Sequence, residues 1–340
     1  MLLAVCLAGL AALVLLLAAL PAARRLPPAR AALLLAVCAA GAAAVWVILV
    51  GLLALLLAGQ VPLVATFGRW SAPLVGDGDP VPTAASVAAW VAVAVGVGGG
   101  CVLARRLAGE ARRWLPAYRS GPCAGVLVVI DDPQPAALAV PGWPGRIVVS
   151  SGMLRALPAD ERRVLLAHER CHLENAHWLL RLLVRLAAAA CPLVRPYVAA
   201  CDQALERWAD ESAAVAIGDR ALTAQAIARA ALARHDSGGQ SATGDSPYLA
   251  SGDSPHLASG DSPHLAEAST GPHLAEASTA GFTDGRVGDR VAALLAPPPK
   301  GRWLPAAVPL LALLIAGVSA LLAGHDVHEL FELARAAVRG

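Results

Sequence analysis

Four stretches of this chain, residues 2–20, 31–57, 84–104 and 303–323, carry no charged side chain and are almost wholly apolar. An α-helix rises 1.5 Å per residue, so roughly 20 residues cross the hydrocarbon layer of a bilayer, and each stretch reaches that length. Lipid offers no partner to a backbone amide, so such segments must be helical. Composition agrees. The 340 residues are 57% hydrophobic and 15% charged, against about 25% charged in soluble domains. The chain reads as mainly α, a multi-pass protein of four spans with the lipid bilayer as its first partner.

The basic residues orient these spans. Arg24, Arg25 and Arg30 follow the first span, and no basic residue precedes it. That order argues for a retained helix with its N-terminus outside rather than a cleaved secretion signal. The loop of residues 58–83 holds Arg69 with Asp77 and Asp79 and is expected outside. Arg105, Arg106, Arg112, Arg113 and Arg119 follow the third span, while Lys300 and Arg302 precede the fourth. Residues 105–302 are therefore expected in the cytoplasm, and residues 324–340 form a short extracytoplasmic tail. The seven cysteines are scattered without a C-x-x-C pair, and a reducing cytoplasm would leave those on that side as thiols. A net charge of +2 gives no basic footprint for nucleic acid.

Within the cytoplasmic region, residues 126–130 and 147–150 are β-branched runs bounded by Gly, Pro and Asp, and read as strands. Pro158 suits a helix start and Asp160 and Glu161 its first turn, so a helix is expected over about 158–177. It contains His168-Glu169-Arg170-Cys171-His172. Histidines four apart share a helical face and can grip one zinc ion, and the adjacent Glu169 can take a proton from a zinc-bound water. Glu174 and His177 lie about 120° or more around the same helix, which excludes them as a third ligand. Glu206, on a helix expected from about residue 199 to 217, is the best candidate. Asp210 lies one turn further, placed to accept a hydrogen bond from a ligand histidine. Cys171 points away from Glu169 and reads as core.

H-E-x-x-H followed by Glu206-Arg207-Trp208-Ala209-Asp210 resembles the membrane-bound gluzincins: the BlaR/MecR-type antibiotic-sensor peptidases and the related CAAX-protease and HtpX-type enzymes. The likeness covers roughly residues 120–235 and the flanking spans, including residues 135–142, 146–152 and 157–161. It implies a cytoplasmic α+β, zincin-like domain over 105–235 and one zinc per chain, held by His168, His172 and Glu206. Glu169 would be the catalytic base. It also implies a strand beside the metal helix that pairs with an extended protein or peptide substrate. Regulated proteolysis of a cytoplasmic repressor or of a membrane protein follows as the expected role. The antibiotic-sensing domain of the sensor peptidases has no counterpart among residues 324–340, so a signal would come from a separate sensor partner or from the loop of residues 58–83. The alternative is a non-catalytic signalling scaffold with a structural zinc. A metal transporter is disfavoured, because no span carries a charged residue or a histidine.

Two segments lie outside this scheme. Residues 178–191 are apolar but interrupted by Arg181 and Arg185 and ended by Pro192, too short for a span. They are expected to lie at or partway into the membrane, the arginines reaching for headgroups, or as a buried helix of the catalytic domain. Residues 236–283 carry an octapeptide repeat, Gly-Asp-Ser-Pro-His-Leu-Ala-Ser in its second copy, and read as a disordered linker. Its His256, His264 and His273 are weak metal candidates. Residues 284–302 resume an amphipathic pattern.

Overall fold

A computed structural model describes residues 1–119, 126–142, 145–242, 284–298, 301 and 303–339. The octapeptide repeat lies outside the described residues except for its flank, as do Lys300 and Arg302.

Among the described residues, four helices are long and apolar enough to cross a membrane. They are α1 (Leu2–Ala23), α2 (Pro28–Gly59), α5 (Thr83–Arg119) and the C-terminal α12 (Ala307–Arg339). Alanine governs how they meet. Ala8 and Ala11 of α1 are buried against Ala316 and Ala320 of α12. Small side chains at helical spacing bring backbones close, which is how dispersion contacts replace the hydrophobic effect inside lipid. Between α2 and α5 lie two short helices, α3 (Pro62–Gly68) and α4 (Ala72–Gly78), which cover that end of the bundle. Residues 324–339 continue α12 as helix, burying Val327, Phe331 and Ala334 against Leu56 and Val75.

The polar part of the chain starts with a three-stranded sheet of β1 (Leu127–Ile130), β2 (Ala137–Val140) and β3 (Arg146–Ser150). Its order is β1-β3-β2, with β3 parallel to β1 and antiparallel to β2. The β2 strand was not anticipated, because Ala137-Leu138-Ala139-Val140 lacks the β-branched density of its neighbours. Ser150 ends β3 and starts α6 (Ser151–Ala156), its Oγ accepting from the amides of Met153 at 3.1 Å and Ala136 at 2.8 Å. Only glycine fits at 152, where a Cβ would fall 2.1 Å from the Pro133 carbonyl oxygen.

Four helices follow: α7 (Ala159–Glu174), α8 (His177–Ala190), α9 (Arg195–Ile217) and α10 (Arg220–Ala242). A last short helix, α11 (Asp284–Leu295), packs on α10 and α9. The expected helix over 158–177 is α7, which ends at Glu174, and the separate segment expected from 178 is α8, which begins at His177. Ala176 takes the left-handed conformation, φ 46° and ψ 44°, which turns the chain sharply between Glu174 and His177.

The α8 helix packs on α2 and α5 through Val184, Ala187 and Ala188. Close approach depends on Gly99 of α5, where a Cβ would lie 2.8 Å from the Ala189 carbonyl oxygen. Trp178, Leu179, Leu183 and Leu186 on its other face are exposed. Residues 178–191 therefore form one arm of a helical hairpin seated against the spans. Its return arm, α9, is tied to α1 by Tyr197, whose hydroxyl donates to the Leu15 and Leu16 carbonyls at 3.2 and 3.1 Å.

Candidate metal centre

The site lies where α7 crosses α9. Glu206, Ala209, Asp210 and Ala213 follow one another at i, i+3, i+4 and i+7, a single face of α9, and all four are buried. The two alanines, fully buried, let α7 approach closely enough for carboxylates of one helix to reach imidazoles of the other. His168, Glu169 and His172 of α7 are each less than 9% exposed.

The His168 and His172 Nε2 atoms lie 3.2 Å apart. The two Glu206 oxygens face this pair, Oε2 3.6 Å from His168 Nε2 and Oε1 3.6 Å from His172 Nε2. These three residues could hold a metal ion, since each offers an atom within 4.8 Å of the others. Those separations can be compared with zinc geometry: ligand atoms set tetrahedrally about 2.1 Å from an ion are about 3.4 Å apart. The separations bracket that value, so the donors stand where a zinc ion could be held with little rearrangement.

Each imidazole is also held from behind. His168 Nδ1 lies 3.0 Å from Asp210 Oδ1. His172 Nδ1 lies 2.7 Å from Nδ1 of His177. His177 is fully buried, its ring tilted against that of Trp208 at 4.6 Å. Sequence reasoning dismissed His177 as facing away along a continuous helix. The turn at Ala176 brings it back onto His172, as a support and not a third donor.

Two arginines complete the arrangement, and neither was anticipated. Arg290 of α11 is 2% exposed and forks onto Asp210, Nε to Oδ2 at 2.7 Å and Nη2 to Oδ1 at 2.6 Å, with Nη1 3.2 Å from Glu206. A signal existed: Val287, Val291 and Leu294 mark the apolar face of α11, and Arg290 falls on that same face. A charge on a buried stripe demands a partner. Arg181 of α8 donates to Glu206 Oε1 at 2.5 Å and lies 3.3 Å from Asp202, so it turns toward the site instead of toward lipid headgroups. Cys171 is buried, its sulfur accepting from the Asn175 amide at 3.4 Å, and takes no part.

Electrostatics divide the two histidines. Burial pushes His168 down, but hydrogen bonds and charge from Asp210 and Glu206 outweigh it and lift the group to about 9. Burial with little compensation leaves His172 well below the usual imidazole range. Glu206 and Asp210 run the other way: burial alone would raise them, yet His168 and the arginines hold both below the usual carboxylate range. The cluster is built around positive charge at its centre, which one proton or one cation can supply. Glu169 contrasts with them, raised chiefly by burial. It adjoins a cavity of about 30 Å³, lined also by His168, Ala230, Arg234 and Arg290, which is room for a water molecule.

Comparison with known proteins agrees with this chemistry. Residues 116–276, somewhat under half of the chain, match the model of Peptidase family M48. The match supports a metallopeptidase with zinc-dependent proteolysis as its activity; nothing in it is particular to the BlaR/MecR type. No curated protein and no solved structure matches the chain.

Proposed function

We propose that this chain is a membrane-embedded zinc endopeptidase in which His168, His172 and Glu206 hold one zinc ion and Glu169 is the general base. The observation that carries the reading is the convergence of two imidazoles, their Nε2 atoms 3.2 Å apart, with the two Glu206 oxygens, each 3.6 Å from one of them, and a buried carboxylate beside them on α7. Bound there, zinc lowers the pKa of a coordinated water toward neutrality and polarises a carbonyl.

The chain's own residues do the rest. Asp210 and His177 fix the two imidazoles through their Nδ1 atoms, leaving both Nε2 atoms facing Glu206. Arg290 holds Asp210 in turn. Glu169 accepts a proton from the attacking water and returns it to the leaving amine, a task suited to a carboxylate that burial raises above its usual range. The β2 strand is an edge of the sheet and packs on α7, which supports it as the place where an extended substrate adds a strand.

The excess of arginine after α1 and along the C-terminal part of α5, from Arg105 on, supports a cytoplasmic domain over 105–235, with 236–283 a linker, 284–302 an amphipathic closing segment and the four helices as spans. From that side the enzyme would cleave a cytoplasmic repressor or a membrane protein, with a separate sensor partner supplying the signal. Glu169→Ala tests the reading. Metal content should stay at that of the parent while cleavage of a co-expressed substrate falls by a factor of about 10²–10⁴, and unchanged cleavage would remove Glu169 from the mechanism.

A further inference from the structure

A cleft of about 470 Å³ lies between α1, α2 and α5. Gly9 and Leu13 form one wall, Trp46 and Leu53 the back, and Ala88 and Ala92 the other wall. Its floor is Cys191 and Leu193, the tip of the α8–α9 hairpin. That tip is separated from the metal centre by the 14 residues of α8, or about 20 Å. The cleft thus occupies the half of the bundle remote from the site. Every residue lining it is apolar, and Leu13 and Leu193, both more than half exposed, stand on its rim.

Three occupants are conceivable, and size and chemistry decide among them. Water is poorly suited, since the lining side chains offer only the indole N–H of Trp46 and the weak thiol of Cys191 where a water needs two to four polar partners. A transmembrane helix about 10 Å across fills about 80 Å³ per Å of length, so this volume would take barely one turn. A hydrocarbon chain fits: at roughly 27 Å³ per methylene in close packing, 470 Å³ holds about 17 carbons. Bilayer phospholipids carry chains of that length, and helices of spanning length flank the cleft.

We propose that this cleft is a binding site for one acyl chain of a bilayer phospholipid, whose end rests on the hairpin tip at Cys191 and Leu193. The chain completes the packing that α1 and α5 leave open over α2. It is a ligand of the hairpin whose other end carries Arg181 and Glu206. This inference rests on the membrane-embedded reading and not on catalysis, so the two can fail independently.

The test uses the full chain in phosphatidylcholine vesicles containing a phosphatidylcholine with a diazirine in one 16-carbon chain. After photolysis, label should concentrate on peptides covering residues 9–16 and 46–53. It should saturate near one chain per protein as the probe fraction rises, whereas label on the exposed face of α12 at Leu310 and Leu314 grows in proportion. Gly9→Leu fills the cleft from a position where an added Cβ meets nothing within 4 Å. It should cut cleft labelling at least about tenfold, leaving the α12 label and the metal content unchanged. Proportional, unsaturable labelling of both regions would overturn the proposal, as would cleft labelling indifferent to Gly9→Leu. Crosslinks joining two copies through the cleft would overturn it as well, in favour of a self-association surface.

Discussion

Arg290 concentrates the energetic risk of the site in one side chain. It is 2% exposed and forks onto Asp210, which is equally buried. Removing one partner of a buried ion pair typically costs about 3–5 kcal/mol, because the other charge stays out of water. Arg290→Ala should therefore lower thermal stability by that order and loosen metal binding through Asp210 and His168; a change under 1 kcal/mol would contradict the burial of the pair. The metal itself competes with a proton. His168, lifted to about 9, carries a proton at neutral pH when no ion is present, so binding a cation must release it. Apparent zinc affinity should rise about tenfold per pH unit from 6 to 8 and level off above 9. Chelator competition at several pH values measures that slope, and a flat profile would place the proton elsewhere. At this scale the grouping of His168, His172 and Glu206 was legible in the sequence, because ligand chemistry needs particular residues at fixed helical spacing. The sequence was silent on His177, Arg181 and Arg290, whose roles depend on backbone turns and on contacts between residues up to 84 positions apart in the chain.

The turn at Ala176 falls within three residues of the boundary read from sequence at 177/178, but no Gly or Pro announces its left-handed conformation. A non-glycine residue at φ 46° costs roughly 1–2 kcal/mol relative to the right-handed region. Ala176→Gly should accordingly stabilise the folded protein by about 1 kcal/mol with the His172–His177 contact intact; destabilisation would mean the turn is not left-handed. The α11 helix follows the same logic of distant tethering. Arg220 donates to the carbonyls of Ala293, Leu294 and Ala296 at its C-terminal end, and Leu294 is buried against Ala214, Ala224 and Ile227. Amphipathic spacing disclosed that α11 exists, but not that it delivers Arg290 into the metal centre. Replacing residues 244–282 by a Gly/Ser sequence of equal length should leave metal content and cleavage unchanged, since α10 and α11 themselves are kept. A drop in zinc on that replacement would bring His256, His264 and His273 back as ligands.

Across the whole molecule the four spans were legible at once, because a bilayer imposes a length and polarity that few soluble segments mimic. The hairpin of α8 and α9 was not, since Arg181 and Arg185 conceal an arm whose contacts are with α2 and α5. The proposed sidedness rests on arginine counts alone. Proteolysis of sealed vesicles should cut the region between α5 and α12 only from the cytoplasmic face, and cleavage from the opposite face would invert the topology. The account as a whole stands on one cation between α7 and α9. X-ray absorption at the zinc edge of the purified, metal-replete chain tests this most directly. The expected spectrum shows one zinc per chain with two imidazole nitrogens and oxygen ligands at about 2.0–2.2 Å, and occupancy lost in Glu206→Ala. Full zinc occupancy in that variant, or a spectrum without paired imidazoles, would contradict it.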